Sequence, residues 1–102
     1  MKKHTKVYLE SMQYTDTDYI ECERCRRPAV DIHHIKARGM GGSDKLDVIE
    51  NLMALCRPCH NRADFGAENY TEENQQIHND YVSRRKQLLD RLEKASRLFN
   101  KK

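Results

Sequence analysis

Four cysteines and a few histidines carry the reactive potential of this 102-residue chain. Cys22 and Cys25 form CERC, and Cys56 and Cys59 form CRPC. Two C-x-x-C pairs are the ligand pattern of a tetrahedral zinc ion, because each pair presents two thiolates from one tight turn. The redox alternative needs a thioredoxin-like βαβ context, which is absent. With four sulfur ligands the zinc is expected to be structural, leaving no position open to substrate. Thirty residues separate Cys25 from Cys56, more than the roughly 15 to 20 of a simple ribbon, so the loop closed by the ion carries further content.

Part of that content is the run VDIHHI, residues 30–35, with two adjacent histidines in an apolar, β-branched setting. In a strand His33 and His34 point to opposite faces, so they cannot share one metal as helical i, i+4 histidines do. Two different jobs are expected of them. Asn51 opens the next apolar run, NLMALC, and His60 follows the last cysteine directly.

In order the segment reads C-x-x-C, H-H, G-G, N-L, C-x-x-C-H. It resembles the HNH endonucleases, whose ββα-metal (His-Me finger) fold wraps a hairpin and a helix around one catalytic divalent ion. The resemblance covers Cys22 to about Arg62. It implies that His33 is a ligand of the catalytic metal, where many members have Asp and colicin-type nucleases have His. It implies His34 as general base, Asn51 as the residue that orients the base through the loop, and His60 as the second metal ligand. Gly41 and Gly42 match the usual loop glycines. The implied cofactors are the structural Zn²⁺ and a catalytic divalent cation such as Mg²⁺, Mn²⁺ or Ni²⁺, and the implied partner is DNA.

The chemistry agrees with this assignment. In-line hydrolysis of a phosphodiester needs a water activated on one side of phosphorus and charge stabilised at the oxygen leaving from the other. Diverging neighbours on a strand can bracket a phosphate, with His34 taking the proton and His33 and His60 holding the cation. Imidazole, with a reference pKa of about 6.5, suits a base working near neutral pH. Taken singly, each residue has a plainer reading: a hydrogen-bonded packing histidine, a turn asparagine, a helix-capping His60. Asp64, one turn beyond His60, reads as a solvent-facing carboxylate before it reads as a ligand, and Asn61 is a weaker substitute for His60. His4 and His78 have no partner pattern and receive no role. Lys36, Arg38, Arg57 and Arg62 lie near the site as candidate phosphate contacts or ordinary surface charges. No base-reading motif accompanies them.

The elements that must position these groups follow from patterning. AVDIHHI and NLMALC predict two short strands of a hairpin, joined by the glycine-rich KARGMGGSDK. Pro58 suits a first helical turn, so a short helix is expected from about Pro58 to Asp64. From Thr71 to about Phe99 no Gly or Pro intervenes, and Ile77, Tyr81, Leu88, Leu92, Ala95 and Phe99 predict a long amphipathic helix with one apolar stripe. KVYLESM near the start is a short strand-like or helical patch. The expected fold is α+β: a small ββα-metal domain with a four-cysteine zinc knuckle and a long C-terminal helix. Its divisions are an N-terminal extension (1–20), the nuclease core with its zinc site (21–65), and an acidic linker with a basic helix (66–102).

Composition limits the function classes. Hydrophobic residues make up 37% and charged residues 34%, so the core is small and a metal is a natural staple. No apolar run reaches membrane-spanning length, and no signal-peptide core follows the basic start, so no membrane partner and a cytoplasmic setting are expected. The net charge of +3 is unevenly spread. The stretch from Tyr81 onward holds eight basic and two acidic residues, and Arg84 and Arg85 in it are candidates for nucleic-acid contact. The small size resembles free-standing phage or prophage members, which implies a host cytoplasm, and admits a second copy of the chain or phage packaging and processing proteins as partners. The reading is thus a divalent-metal-dependent DNA endonuclease. The alternative is a catalytically inactive, zinc-stabilised module that binds DNA or protein.

Overall fold

In the computed structural model, which describes residues 2–15, 17–36, 44–65 and 70–100, the expected hairpin is a two-stranded antiparallel sheet. Strand β1 (Asp31–His34) pairs with β2 (Leu52–Leu55) so that Asp31 meets Leu55, Ile32 meets Ala54, His33 meets Met53 and His34 meets Leu52. Val30 N–H to Leu55 O (3.0 Å) and Ile35 N–H to Asn51 O (2.9 Å) continue the pairing past both ends. Two four-residue strands are not stable alone, so other elements must cover both faces.

They do so with different material. On one face Met53 and Leu55 pack with Ile35, Cys22, Cys56 and Cys59, against helix α2 (Arg57–Phe65). On the other, Leu52 and Ala54 pack with Tyr8 and Met12 of helix α1 (Lys3–Ser11) and its C-terminal turn, and with Tyr81 of helix α3 (Tyr70–Asn100). The patch KVYLESM is therefore mostly helix. His4, Tyr8 and Met12 recur at four-residue spacing and so line one row of it. Pro58 falls in the first turn of α2, where its missing N–H costs no helical bond.

Helix α3 is 31 residues long, with Glu72 and Glu73 in its first turn and Arg97 in its last, as the helix dipole favours. The single apolar stripe needs correction. Asn74, His78 and Tyr81 are buried, whereas Leu88, Leu92 and Leu98 are 46%, 56% and 74% exposed. At about 1.5 Å per residue such a helix is about 46 Å long, and the other two principal extents are only 26 and 22 Å. It outruns the domain it packs on.

The docked half is fastened by polar groups. Glu23, buried between the first two cysteines, accepts from Tyr8 Oη (2.6 Å) and Ala54 N–H (3.1 Å) through Oε2, and pairs with His78 Nδ1 (2.7 Å) through Oε1. The other nitrogen of His78 meets Ile49 O. Both ring nitrogens thus face acceptors, which suits an imidazolium. Burial alone would lower the His78 pKa, but the hydrogen bond and charge of Glu23 raise it. Burial, with Glu23 beside it, also pushes the Tyr8 phenol well above its ordinary range, keeping it a donor. Glu23 N–H bonds Ala54 O at 3.0 Å, so backbone and side chain together bind the outer edge of β2. Among the described residues no helix is long and apolar enough to cross a membrane.

Candidate metal and catalytic site

The four-cysteine knuckle is set by two turns. Cys22 N–H bonds Arg27 O (2.7 Å) and Arg26 N–H bonds Cys22 O (2.9 Å), with Arg26 at φ 70° reversing the chain just past Cys25. Cys56 leads into α2 and Cys59 sits in its first turn. The ligand atoms of Cys22, Cys25, Cys56 and Cys59 all lie within 4.8 Å of one another, and Cys25 Sγ is 3.5 Å from Cys56 Sγ. Four sulfurs at about 2.3 Å around a tetrahedral ion would stand roughly 3.8 Å apart, so the cluster fits zinc. Burial, helped by hydrogen bonds from Cys56 and Cys22, pushes the Cys59 thiol up to about 12. A cation is what makes a thiolate tolerable there.

Beyond the knuckle, β1 sends its two histidines to opposite sides. His33 is buried and turns toward α2, where its ring lies 5.0 Å from that of His60 in an edge-on arrangement. His60 Nδ1 is 2.8 Å from Asp31 Oδ2, which also lies 3.2 Å from Arg57 Nη1. Asp31 thereby orients the His60 ring through Nδ1. His34 turns to the α1 face. Its Nε2 is 2.7 Å from Asp47 Oδ1, and its ring lies 4.7 Å from that of His4.

Asn51 ties the loop between the strands. Its Oδ1 accepts from Lys36 N–H (2.7 Å), and its Nδ2 donates to Lys36 O (3.1 Å) and Leu46 O (3.0 Å). One buried side chain thus clamps the backbone on both sides of the loop, and Leu46 is followed directly by Asp47. The side chain of Asn51 therefore fixes where the carboxylate meets His34.

The basic candidates differ in placement. Lys36, Arg57, Arg62 and Arg84 are exposed. Arg38, Gly41 and Gly42 lie outside the described residues, as does the side chain of Asp64. Arg85 is engaged within the chain: Nε bonds Met12 O (2.9 Å), Nη2 bonds Gln13 O (3.3 Å), and the guanidinium stacks 4.2 Å from the centre of the Tyr14 ring. It caps the C-terminal end of α1.

Sequence reasoning missed Asp31, Asp47, Glu23, His4 and His78. Asp31 carried a signal, being two residues before His33 and so on the same face of a strand. Asp47 carried none, because its meeting with His34 is made by a loop. His4 and His78 act across elements, where spacing along the chain is silent.

Comparison with family models matches residues 22–65 to the HNH endonuclease family. Comparisons with curated proteins and with solved structures give no match. The matched segment holds the hairpin, the four cysteines and α2, and leaves out α1 and α3. Its two-stranded sheet, α2 and four-cysteine cluster have the ββα arrangement, consistent with an HNH ββα-metal domain, the family whose model residues 22–65 match.

Proposed function

We propose that the protein is a divalent-metal-dependent endonuclease that hydrolyses DNA phosphodiester bonds. His34 acts as the general base, His33 and His60 hold the catalytic cation, and Asn51 sets the loop that carries Asp47. The observation that supports this best is the pairing of His34 with a buried carboxylate on one face of β1 while His33 and His60 converge on the other.

The pairing has a chemical consequence. With Asp47 accepting from Nε2–H, the lone pair of a neutral His34 sits on Nδ1, where it can take a proton from water. Asp47 is then a positioning residue that fixes the tautomer and stabilises the imidazolium formed. On the opposite face two imidazoles, one of them oriented by a carboxylate, form a donor set suited to a divalent transition ion. A cation bound there supplies charge stabilisation at the leaving oxygen. Lys36, Arg57, Arg62 and Arg84 are exposed cations suited to phosphate contact, which gives affinity with little sequence preference.

The test is incubation of zinc-loaded protein with supercoiled plasmid and Mg²⁺, Mn²⁺ or Ni²⁺. Nicked or linear product is expected. His34→Ala should lower the rate by about 10²- to 10⁴-fold while leaving divalent-ion affinity near the parental value. His60→Ala should weaken ion binding itself. DNA binding without cleavage under every cation would favour the inactive module.

A further inference from the structure

We propose that His4, His34 and Asp47 form a second cation site, selective for a zinc-like transition ion, whose occupancy withdraws His34 from proton transfer. The binding half stands on the geometry alone. The effect on catalysis rests on the reading of His34 as the base.

The ligand atoms of these three residues all lie within 4.8 Å of one another, although they come from α1, from β1 and from the loop before β2. His34 Nε2 and Asp47 Oδ1 lie 2.7 Å apart, so an ion that took the place of the hydrogen bond would open the pair to roughly 3.3 Å, the separation of tetrahedral ligands at about 2.0 Å. The His4 ring stands 4.7 Å from the His34 ring and tilted to it by 58°, which brings a third donor to the pair. Asp47 is buried, and His4 and His34 are half-buried, so the group is more than an exposed acidic cluster.

Each donor is held from behind. His4 lies one helical turn before Tyr8, which is fully buried and bonded to Glu23. Arg85 anchors the far end of the same helix. Asp47 is set by the hold of Asn51 on Leu46 O. Such a frame keeps the ligands near one another before any ion arrives.

Two imidazoles and one carboxylate suit Zn²⁺ or its neighbours, and three protein ligands leave a fourth position for water. Mg²⁺ prefers oxygen donors and keeps its own waters, so it is a poor occupant. Dependence on His4, rather than the type of ion, separates this site from the one at His33 and His60, whose imidazoles also suit a transition ion. Coordination also reverses the tautomer of His34. A neutral imidazole offers one lone pair; if Nε2 gives it to the ion, the proton moves to Nδ1, and that nitrogen can no longer accept one from water. Because His4 lies outside the matched family segment, the site is an addition made by α1.

The experiment uses the full chain, loaded with zinc at the cysteines, in a His60→Ala background that removes the proposed catalytic-ion ligand on α2. Calorimetric titration with ZnCl₂ should show one further equivalent, and adding His4→Ala should weaken it about tenfold or more. Nitrogen-15 NMR of the histidine rings should show His34 changing to the Nδ1-protonated form as zinc is added. In the protein with His60 intact, zinc should slow Mg²⁺-supported plasmid cleavage by about 10²-fold, and His4→Ala should lose that slowing relative to its own zinc-free rate. Zinc affinity in the His60→Ala background that is the same with and without His4 would overturn the site. Zinc binding that depends on His4, moves the His34 signals and leaves cleavage untouched would uphold the site and overturn His34 as the base.

Discussion

The face of the hairpin that carries Asp31 and His33 is closed mainly from within residues 22–65, by the knuckle and α2, with Ile77 of α3 packed against them. The face that carries His34 is closed from outside that segment, by α1 and α3. The first is short-range and gathers the four cysteines that could hold zinc: His60 follows Cys59 directly, so the proposed ion ligand is placed by the same turn that places a candidate zinc ligand. The second is assembled from distant pieces, with α1 held by Arg85 and by the Tyr8–Glu23 bond. One motif therefore depends on two kinds of support, and neighbouring histidines can be disturbed separately.

The largest separation should come from the staple. Cys56→Ser leaves three thiols, and since a structural zinc supplies apparent folding energy of about 10 kcal/mol or more in small domains, the His33 face should lose its order along with the metal. Elemental analysis should give less than one zinc per chain, and circular dichroism should show a broad transition. Loss of zinc with parental melting would mean that this face stands without its staple.

A smaller effect is expected at the junction of the two faces. His78→Gln removes the cation from the buried Glu23 pair, and breaking such a pair by deleting one partner typically costs about 3 to 5 kcal/mol. The pH dependence has a definite sign. The folded pKa of His78 is raised, so its contribution is fully present below the unfolded value of about 6.5 and is lost as pH rises through the raised folded value. The parental melting temperature should therefore fall between pH 6.5 and 9 by more than that of His78→Gln, which is lower throughout. Parallel curves would show that His78 is neutral in the folded chain.

The finest test touches only the His34 face. Asp47→Asn should reduce kcat by about 10- to 100-fold with KM nearly unchanged, as for loss of a carboxylate that orients a working imidazole, and Asp47→Glu should recover part of it. Equal loss in kcat and in thermal stability would make Asp47 a packing residue.

What the sequence made legible follows the same division. The cysteine pairs, the His-His step and the Asn51 position are read along the chain, and strand alternation alone predicts that His33 and His34 diverge. The long helix is also legible, because 29 residues from Thr71 to Phe99 contain no breaker. Its burial is not. Apolar spacing cannot say where a helix leaves its domain, so Leu88 and Leu92 read as core although they project beyond it. Conversely Asn74 and His78 read as surface, since burial of a polar side chain depends on a partner that only folding brings, here Arg24 at 2.6 Å and Glu23 at 2.7 Å.

Glu23 also limits how this domain can be moved into another protein. A chimera that carried only residues 22–65 would transplant a buried carboxylate together with Ala54, but without the phenol of Tyr8 or the imidazole of His78. In a new host that acid would have to take up a proton, draw in water or push the knuckle off the edge of β2. A portable unit must therefore include α1 and the first turns of α3, or replace Glu23 with a residue that needs no counter-charge.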